Sequence, residues 1–376
     1  MDTQIRHAML PQPTHDEQAR QMFVKSFRGH LAAAVAPGSR RVYDQIVVPK
    51  FQQSNGRPPK DKHEVRKEME QQPYYQFWSA MQRCSQELMF DSVIDTVERA
   101  LPALQHTASE LDRGKPKGSL TLDEMLVIPS YHTGVDIHLQ PGGYHSDFSE
   151  NDIAAGAIYD RATHLYLAGA TGPHNDLLGR ILVNFFAEHY AGRTIGRMLD
   201  MGCAIGNSTL PWAERFPEAE IHGVDVGAPV LRYAHARAEA KDVGVHFSQQ
   251  NAERTSFADG SFDLIVSHIM LHETSHKALP RIFAECERLL RPGGVMLHLE
   301  IPRETKPFES FMGDWEAYNN NEPFARQFRE TDVIAIAGQS GFANARFALA
   351  PVNFEKSQRN YSSAFIGFPV IVGEKA

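Results

Sequence analysis

The stretch "LDMGCAIGNST", residues 199–209, places an acid after an apolar run, then two glycines, then Ser208 and Thr209 where a helix can open. The overlapping "RMLDMG" reads as a strand and "TLPWAERF" as the helix after it. Glycine between a strand and a helix lets a ligand lie against the backbone, and the helix start offers free N–H groups. Ligands of open α/β sheets bind at the carboxyl ends of strands, where this loop stands. A tight turn with no ligand is the plainer reading. Spacing separates the ligand patterns. A phosphate loop needs Gly-Lys-Ser/Thr, and here Asn207 stands where the lysine would be. A dinucleotide fingerprint counted from Gly202 meets Ala204 and Asn207 where it needs glycine. Acid-x-Gly-x-Gly-x-Gly fits from Asp200 to Gly206, with Ala204 in place of the central glycine.

Outward from this loop, short apolar runs alternate with amphipathic helices. "EIHGVDVG", "VHFSQQNA", "SFDLIVSH" and "GVMLHLEI" read as strands, with "APVLRYAHARAEAK" and "KALPRIFAECERLL" as helices. This repetition predicts a parallel sheet covered on both faces. The strands "ARFALAP" and "AFIGFPVIVG" close the chain without a helix between them, which predicts an antiparallel hairpin at the sheet edge. Asp225 ends the second strand, where a carboxylate can take both hydroxyls of a ribose. Capping the following helix is its other reading. Asn251 and Ala252 follow the third strand, and His268 ends the fourth.

Four stretches, "MLDMGCAIGNST", "IHGVDVG", "QNAERTSFADGSFDLIVSHIMLHE" and "LLRPGGVMLHLE", stand in one order with compatible gaps. Together they resemble the class I S-adenosylmethionine-dependent methyltransferases, and among these the ubiquinone/menaquinone-type small-molecule enzymes. The resemblance covers residues 178–302 well and the remainder of the chain to its end more weakly. It implies an α/β, Rossmann-like, seven-stranded and mostly parallel sheet with an antiparallel C-terminal edge strand. It implies S-adenosylmethionine as cofactor, with Gly202, Ala204 and Gly206 along its methionine and ribose, and Asp200 near its amino group. Asp225 would bind the ribose, and Val226, Asn251 and Ala252 would lie by the adenine. His268 would stand beside the methyl group. Ala204 departs from the family's glycine, and Asn251 stands where the family often has aspartate.

Methyl transfer is an in-line displacement, so alignment does most of the work. A base matters where the acceptor must lose a proton. His268, His272 and Glu273 are the candidates, with His145 next. His268 and His272 would share one face if the turn between them is helical. His272 is expected to be unprotonated at neutral pH and able to accept. No metal is expected, because the order is His-x-x-x-His-Glu and not His-Glu-x-x-His. A second group, His132, His138, His145 and His164 with Tyr131, Tyr144 and Tyr159, precedes the sheet and suits a lid. Tyr159 and Arg161 could reach the cofactor carboxylate. "PRETKPFESFMGDWEAYNNNEPFARQF" carries Phe308, Phe311, Trp315, Tyr318, Phe324 and Phe328, which read either as walls of a dry pocket or as packing against the N-terminal helices.

The N-terminal part is mostly helical, with a break at "GRPPKD". "QPYYQFWSAMQRCSQELMFDSVIDTVERALPAL" reads as one or two helices, and residues 110–119 as a linker. "MLVIPSYHTGVDIHLQPGGYH" predicts short strands, and residues 149–169 a helix capped by Ser149. The division expected is residues 1–118 as a helical domain, 119–175 as lid and linker, and 176–376 as the methyltransferase domain. The chain has 376 residues and a net charge of −8, which disfavours nucleic acid and anionic membranes. Three widely spaced cysteines argue against a disulfide framework. The expectation is a cytoplasmic enzyme acting on a small-molecule substrate and compatible with a homodimer. The rivals are a protein or nucleic acid methyltransferase, against which "SHIM" lacks the base-flipping motif, and a non-catalytic binding module that keeps the fold.

Overall fold

The computed structural model describes residues 3–352 and 367–376. Helix α1 (His15–His30) opens on a capping box in which Thr14 and Glu17 accept each other's backbone N–H. Wide helical turns at Leu31–Val35 and Tyr43–Val47 lead through α2 (Ala36–Val42) into α3 (Val48–Asn55). Gly56, left-handed at φ 73, ends that run inside the expected break. Helix α4 (Lys62–Met69) starts on the Asp61 side chain. Its basic cluster is committed to ion pairs, Arg57 with Glu64 and both Lys62 and Arg66 with Asp314. Helix α5 (Pro73–Arg113) is one helix of 41 residues and runs through Pro102.

Strand β1 (Ser119–Thr121) follows. The stretch 125–145 does not form the strands its alternation predicts. It holds a single turn of helix, α6 (Ser130–Thr133), and a 3-10 turn at Ile137–Leu139. His138 and Leu139 sit at φ 58 and 63, and Gly142 and Gly143 are also left-handed. Left-handed residues cannot continue a strand. Helix α7 (Ala154–Tyr166) is set by Asp152 and not by Ser149, since the Asp152 carboxylate accepts from the N–H groups of Ala154 and Phe148.

The remaining elements are α8 (Leu177–His189), β2 (Arg197–Met201), α9 (Leu210–Arg215), β3 (Glu220–Asp225), α10 (Ala228–Ala240), β4 (His246–Gln249) and β5 (Phe262–His268). Then come α11 (Leu279–Leu289), β6 (Leu290–Leu299), α12 (Pro307–Asn319), α13 (Ala325–Glu330), α14 (Val333–Gln339), β7 (Arg346–Pro351) and β8 (Gly367–Glu374). The sheet has the order β1-β4-β3-β2-β5-β6-β8-β7. Neighbours are parallel except for β8, which runs antiparallel to both β6 and β7. The closing hairpin thus lies at one edge, with β8 inserted inside β7. Among the described residues the sheet has eight strands and not seven, because β1 pairs with β4 at the opposite edge. Of the last expected strand, residues 364–366 lie outside the described residues.

Alternation along the strands feeds two cores. Met198, Leu264, Val266, Val295 and Leu297 pack with α8, α9 and α10. Leu199, Ile265 and Met296 turn to the other face, toward α11 and α14. Both faces are covered, which is why these strands read as nearly unbroken apolar runs. A third core joins α1, α5 and α7 to α10, through Val24, Val93, Ile158 and Tyr233. Buried Asp160 on α7 ties it together. Its carboxylate takes bonds from His7 (3.1 Å), Tyr233 (3.0 Å) and Arg237 (3.1 Å). Burial alone would raise the Asp160 pKa, but Arg237 and then His7 push it well below the usual carboxylate range. No helix among the described residues is long and apolar enough to cross a membrane.

Candidate active site

A cleft of about 840 Å³, open water included, lies at the carboxyl ends of β2, β3, β4 and β5. Its floor is the loop after β2. Gly202 and Ala204 line it, and the Gly202 and Cys203 N–H groups both donate to the Val224 carbonyl (2.8 and 3.0 Å). Gly202 stands at φ 71, and a Cβ on it would meet the Met270 side chain at 2.4 Å. Ala204 occupies the left-handed region at φ 45, a conformation glycine adopts more readily. Gly206, at φ 70, does not line the cleft. A Cβ on it would meet Phe247 at 2.9 Å, so its glycine serves packing.

Asp225 is the hinge of this floor. One carboxylate oxygen accepts from Ala204 N–H (3.0 Å) and the other from Gly227 N–H (2.9 Å). The same carboxylate borders the cleft, with Val226, Asn251 and Ala252 beside it. Asn251 Oδ1 already accepts from the Glu253 N–H (2.9 Å) and keeps a second lone pair. These groups fit a nucleoside: an acid for two hydroxyls, an amide oxygen, and left-handed backbone that lets the ligand approach. Asp200, by contrast, is buried behind the loop. Its carboxylate accepts from the Thr209 hydroxyl (2.6 Å) and faces His268 Nδ1 at 3.4 Å, and it does not line the cleft.

The acid–base candidates separate. His268 lines the cleft, and its Nε2 has no hydrogen-bond partner among the described residues. Glu273 lines it as well. His272 does not. The chain from β5 turns through a 3-10 segment, Leu271–Glu273, so His268 and His272 share no helical face. His272 is fully buried, with Nδ1 2.7 Å from Glu300 and Nε2 3.4 Å from Glu273. Burial opposes a charge there, but Glu300 and then Glu273 outweigh it and raise the His272 pKa well above the usual range. A shift in this direction opposes the expected role of proton acceptor. Burial opposes the Glu273 charge too, yet His138 and then His272 push its pKa well below the ordinary carboxylate range.

The roof is the segment 129–159. Tyr131, His132, His138, Tyr144 and Tyr159 line the cleft from it, with Tyr144 and Tyr159 edge to face at 5.5 Å. The Tyr144 carbonyl sits where a Cβ on Gly227 would fall. Burial pushes the Tyr159 pKa to about 12, so it is a phenol throughout the working range. Burial opposes a charge on His138 also, and the facing carboxylates of Glu273 and Glu322 reverse this, raising its pKa to about 10. His145 does not line the cleft. Its ring lies tilted beside that of His132, with centroids 5.4 Å apart, and burial lowers its pKa. Arg161 is buried and bonds Gln21 and Gln4, away from the cleft. Phe308 and Phe311 join Tyr43, Tyr75 and Trp78 in a core with the N-terminal helices, and Trp315 packs on Trp78. Tyr318 is exposed, Phe324 meets Tyr131 edge on, and Phe328 is buried near His272. The aromatic walls of the cleft are thus those of the roof segment and not those of the insertion. Glu300 and Glu322 were not singled out in the sequence. Glu300 directly follows β6, and that position was its only signal.

The family model described as "Methyltransferase domain" matches residues 198–294. A demethylmenaquinone methyltransferase of Thermus thermophilus is 32% identical over 143 residues, which is 36% of this chain and 64% of the relative. A malonyl-[acyl-carrier protein] O-methyltransferase of Enterobacter lignolyticus is 28% identical over 190 residues, 50% of this chain and 69% of the relative. The chain thus spans less than two thirds of the first relative's length. Among solved structures, Haemonchus contortus phosphoethanolamine N-methyltransferase 2 in complex with S-adenosyl-L-methionine is 18% identical. It covers 57% of this chain and 56% of its own, with a TM-score of 0.41. Residues 198–294 thus match a methyltransferase domain.

Proposed function

We propose that this protein transfers a methyl group from S-adenosylmethionine to an O, N, C or S atom of a small molecule in the cleft between the sheet and the segment 129–159. One observation carries the reading: Gly202, Ala204, Asp225, Asn251 and Ala252 meet in one cleft under an aromatic roof. The cofactor supplies an electrophilic methyl on a sulfonium. Asp225 holds the ribose, the left-handed Gly202 and Ala204 backbone gives way to the methionine part, and Val226, Asn251 and Ala252 border the adenine. Tyr131, Tyr144 and Tyr159 exclude water, which lets the polar groups act in a low dielectric.

We assign the base to His268. Its Nε2 is unpartnered among the described residues at the strand exit, and Asp200 faces its Nδ1 at 3.4 Å. An acid on Nδ1–H leaves Nε2 as the acceptor. Residues 1–118 and 119–175 are read as a helical domain and a lid. Three cysteines free of disulfides accord with a cytoplasmic setting. The test is incubation of the full chain with S-adenosylmethionine and a metabolite extract, followed by mass spectrometry. A product one CH₂ heavier than its precursor, absent in His268→Ala, is expected. Full activity in His268→Ala would remove the base assignment.

A further inference from the structure

Beside the cleft, three residues from distant parts of the chain bring one ligand atom each to one place. His138 comes from the roof, Glu273 from the turn after β5, and Glu322 from the turn between α12 and α13. The His138 Nε2 is 3.2 Å from Glu273 Oε1 and 3.0 Å from Glu322 Oε1. All three ligand atoms lie within 4.8 Å of one another. We propose that His138, Glu273 and Glu322 form a divalent-cation site, and that the cation holds an oxyanion of the methyl acceptor. This rests on the methyltransferase reading for the acceptor, but not for the cation.

The spacing suits a cation. Ligands about 2.1 Å from an octahedral ion stand about 3.0 Å from their nearest neighbours. One imidazole and two carboxylates are a donor set for Mn²⁺, Fe²⁺ or Zn²⁺. The surroundings orient the ligands. His138 Nδ1 meets the Tyr144 hydroxyl oxygen, so an Nδ1–H donated there leaves the Nε2 lone pair facing the carboxylates. Glu273 is backed by His272, which Glu300 holds in turn at 2.7 Å.

The carboxylates also want a partner. The Glu322 side chain is 7% exposed and pairs with His138 alone among the described residues. Neither oxygen of Glu273 has a well-formed hydrogen bond there. Two buried acids around one imidazole attract either a proton or a metal ion, and the two compete for the same Nε2. His138 and Glu273 line the cleft, so coordination positions left open face the acceptor. Because the ligands come from roof, sheet and insertion, an ion would also pin the roof closed. An acceptor carrying a carboxylate, a phosphate or an enolate is the class this site would select.

The test is titration of chelator-treated full-length protein with Mn²⁺, followed by electron paramagnetic resonance of the free ion, and with Zn²⁺ by calorimetry. One ion per chain is expected for at least one of these metals. Glu322→Gln and His138→Ala should each weaken it about 10–100-fold or more. Circular dichroism of both variants establishes that they are folded. Asp225→Ala should bind the ion as the wild type does while binding S-adenosylhomocysteine roughly tenfold to a hundredfold more weakly, so a failed cofactor reading would show separately. No stoichiometric binding of either metal to the wild type would overturn the proposal, leaving His138 as an imidazolium held between two acids. Binding that survives in both folded variants would overturn it equally.

Discussion

The two walls of the cleft are made differently. The sheet wall is backbone with one acid: left-handed Gly202 and Ala204, tied by Asp225 to the start of α10. The roof is side chains, with three tyrosines and two histidines from one irregular segment. A backbone wall serves a ligand that does not vary, because main-chain groups offer the same contacts whatever the neighbouring sequence. A side-chain wall can be tuned to an acceptor. Cofactor residues should therefore change binding, and roof residues or cleft histidines should change turnover.

The largest expected effect tests that division at His268. His268→Ala should lower kcat by about 10²–10⁴ while binding S-adenosylhomocysteine within a few-fold of wild type. Steady-state kinetics beside calorimetry decide it. A parallel loss in both would place His268 with the cofactor wall. His272→Ala should act otherwise. It leaves Glu300 buried without its partner and should lower the melting temperature.

Next in size is the joint between the walls. Asp160 joins the roof helix α7 to α10 and to the N-terminal segment. Asp160→Asn leaves Arg237 buried with its charge uncompensated and should cost about 3–5 kcal/mol of stability, measured by denaturant unfolding. The pH dependence has a definite sign. The folded-state pKa is depressed, so the unfolded chain binds the proton more readily. The stabilisation is complete above the unfolded value near ~3.9 and is lost as pH falls further. The variant should lack this acid-side loss. An identical acid limb in variant and wild type would contradict the account of the joint.

The smallest effect lies at Ala204. A left-handed alanine costs about 1–2 kcal/mol, and glycine returns part of this as chain entropy in the unfolded state. Ala204→Gly should raise stability by under ~1 kcal/mol and leave cofactor affinity nearly unchanged. A large gain in affinity would mean that the alanine methyl narrows the floor.

The sheet wall was legible in the sequence because it is local. Strand, loop, acid and helix follow one another within 30 residues, and their spacing carries the geometry. Even there, Asp200 and Gly206 stand off the cleft lining. Both belong to the motif, but one points behind the loop and the other packs on Phe247. The roof was only half legible. Its histidines and tyrosines stood out by composition, yet alternation predicted strands where four left-handed residues make turns. Which residue meets which is set by tertiary contact. Residues 138, 273 and 322 share no local pattern, and the insertion's aromatics could have faced the cleft or the helices. Their partners Tyr43, Tyr75 and Trp78 lie more than 200 positions away in sequence.

The central claim is that the backbone wall and Asp225 bind the cofactor. Calorimetric titration of S-adenosylhomocysteine into the wild type and Asp225→Ala tests it most directly. The account predicts one ligand per chain with micromolar affinity. Losing the charged partner of the ribose hydroxyls, and the tie to Ala204 and Gly227, should weaken binding by about 1.5–3 kcal/mol, or roughly tenfold to a hundredfold. Unchanged affinity in Asp225→Ala, or binding of NAD in place of S-adenosylhomocysteine, would contradict it.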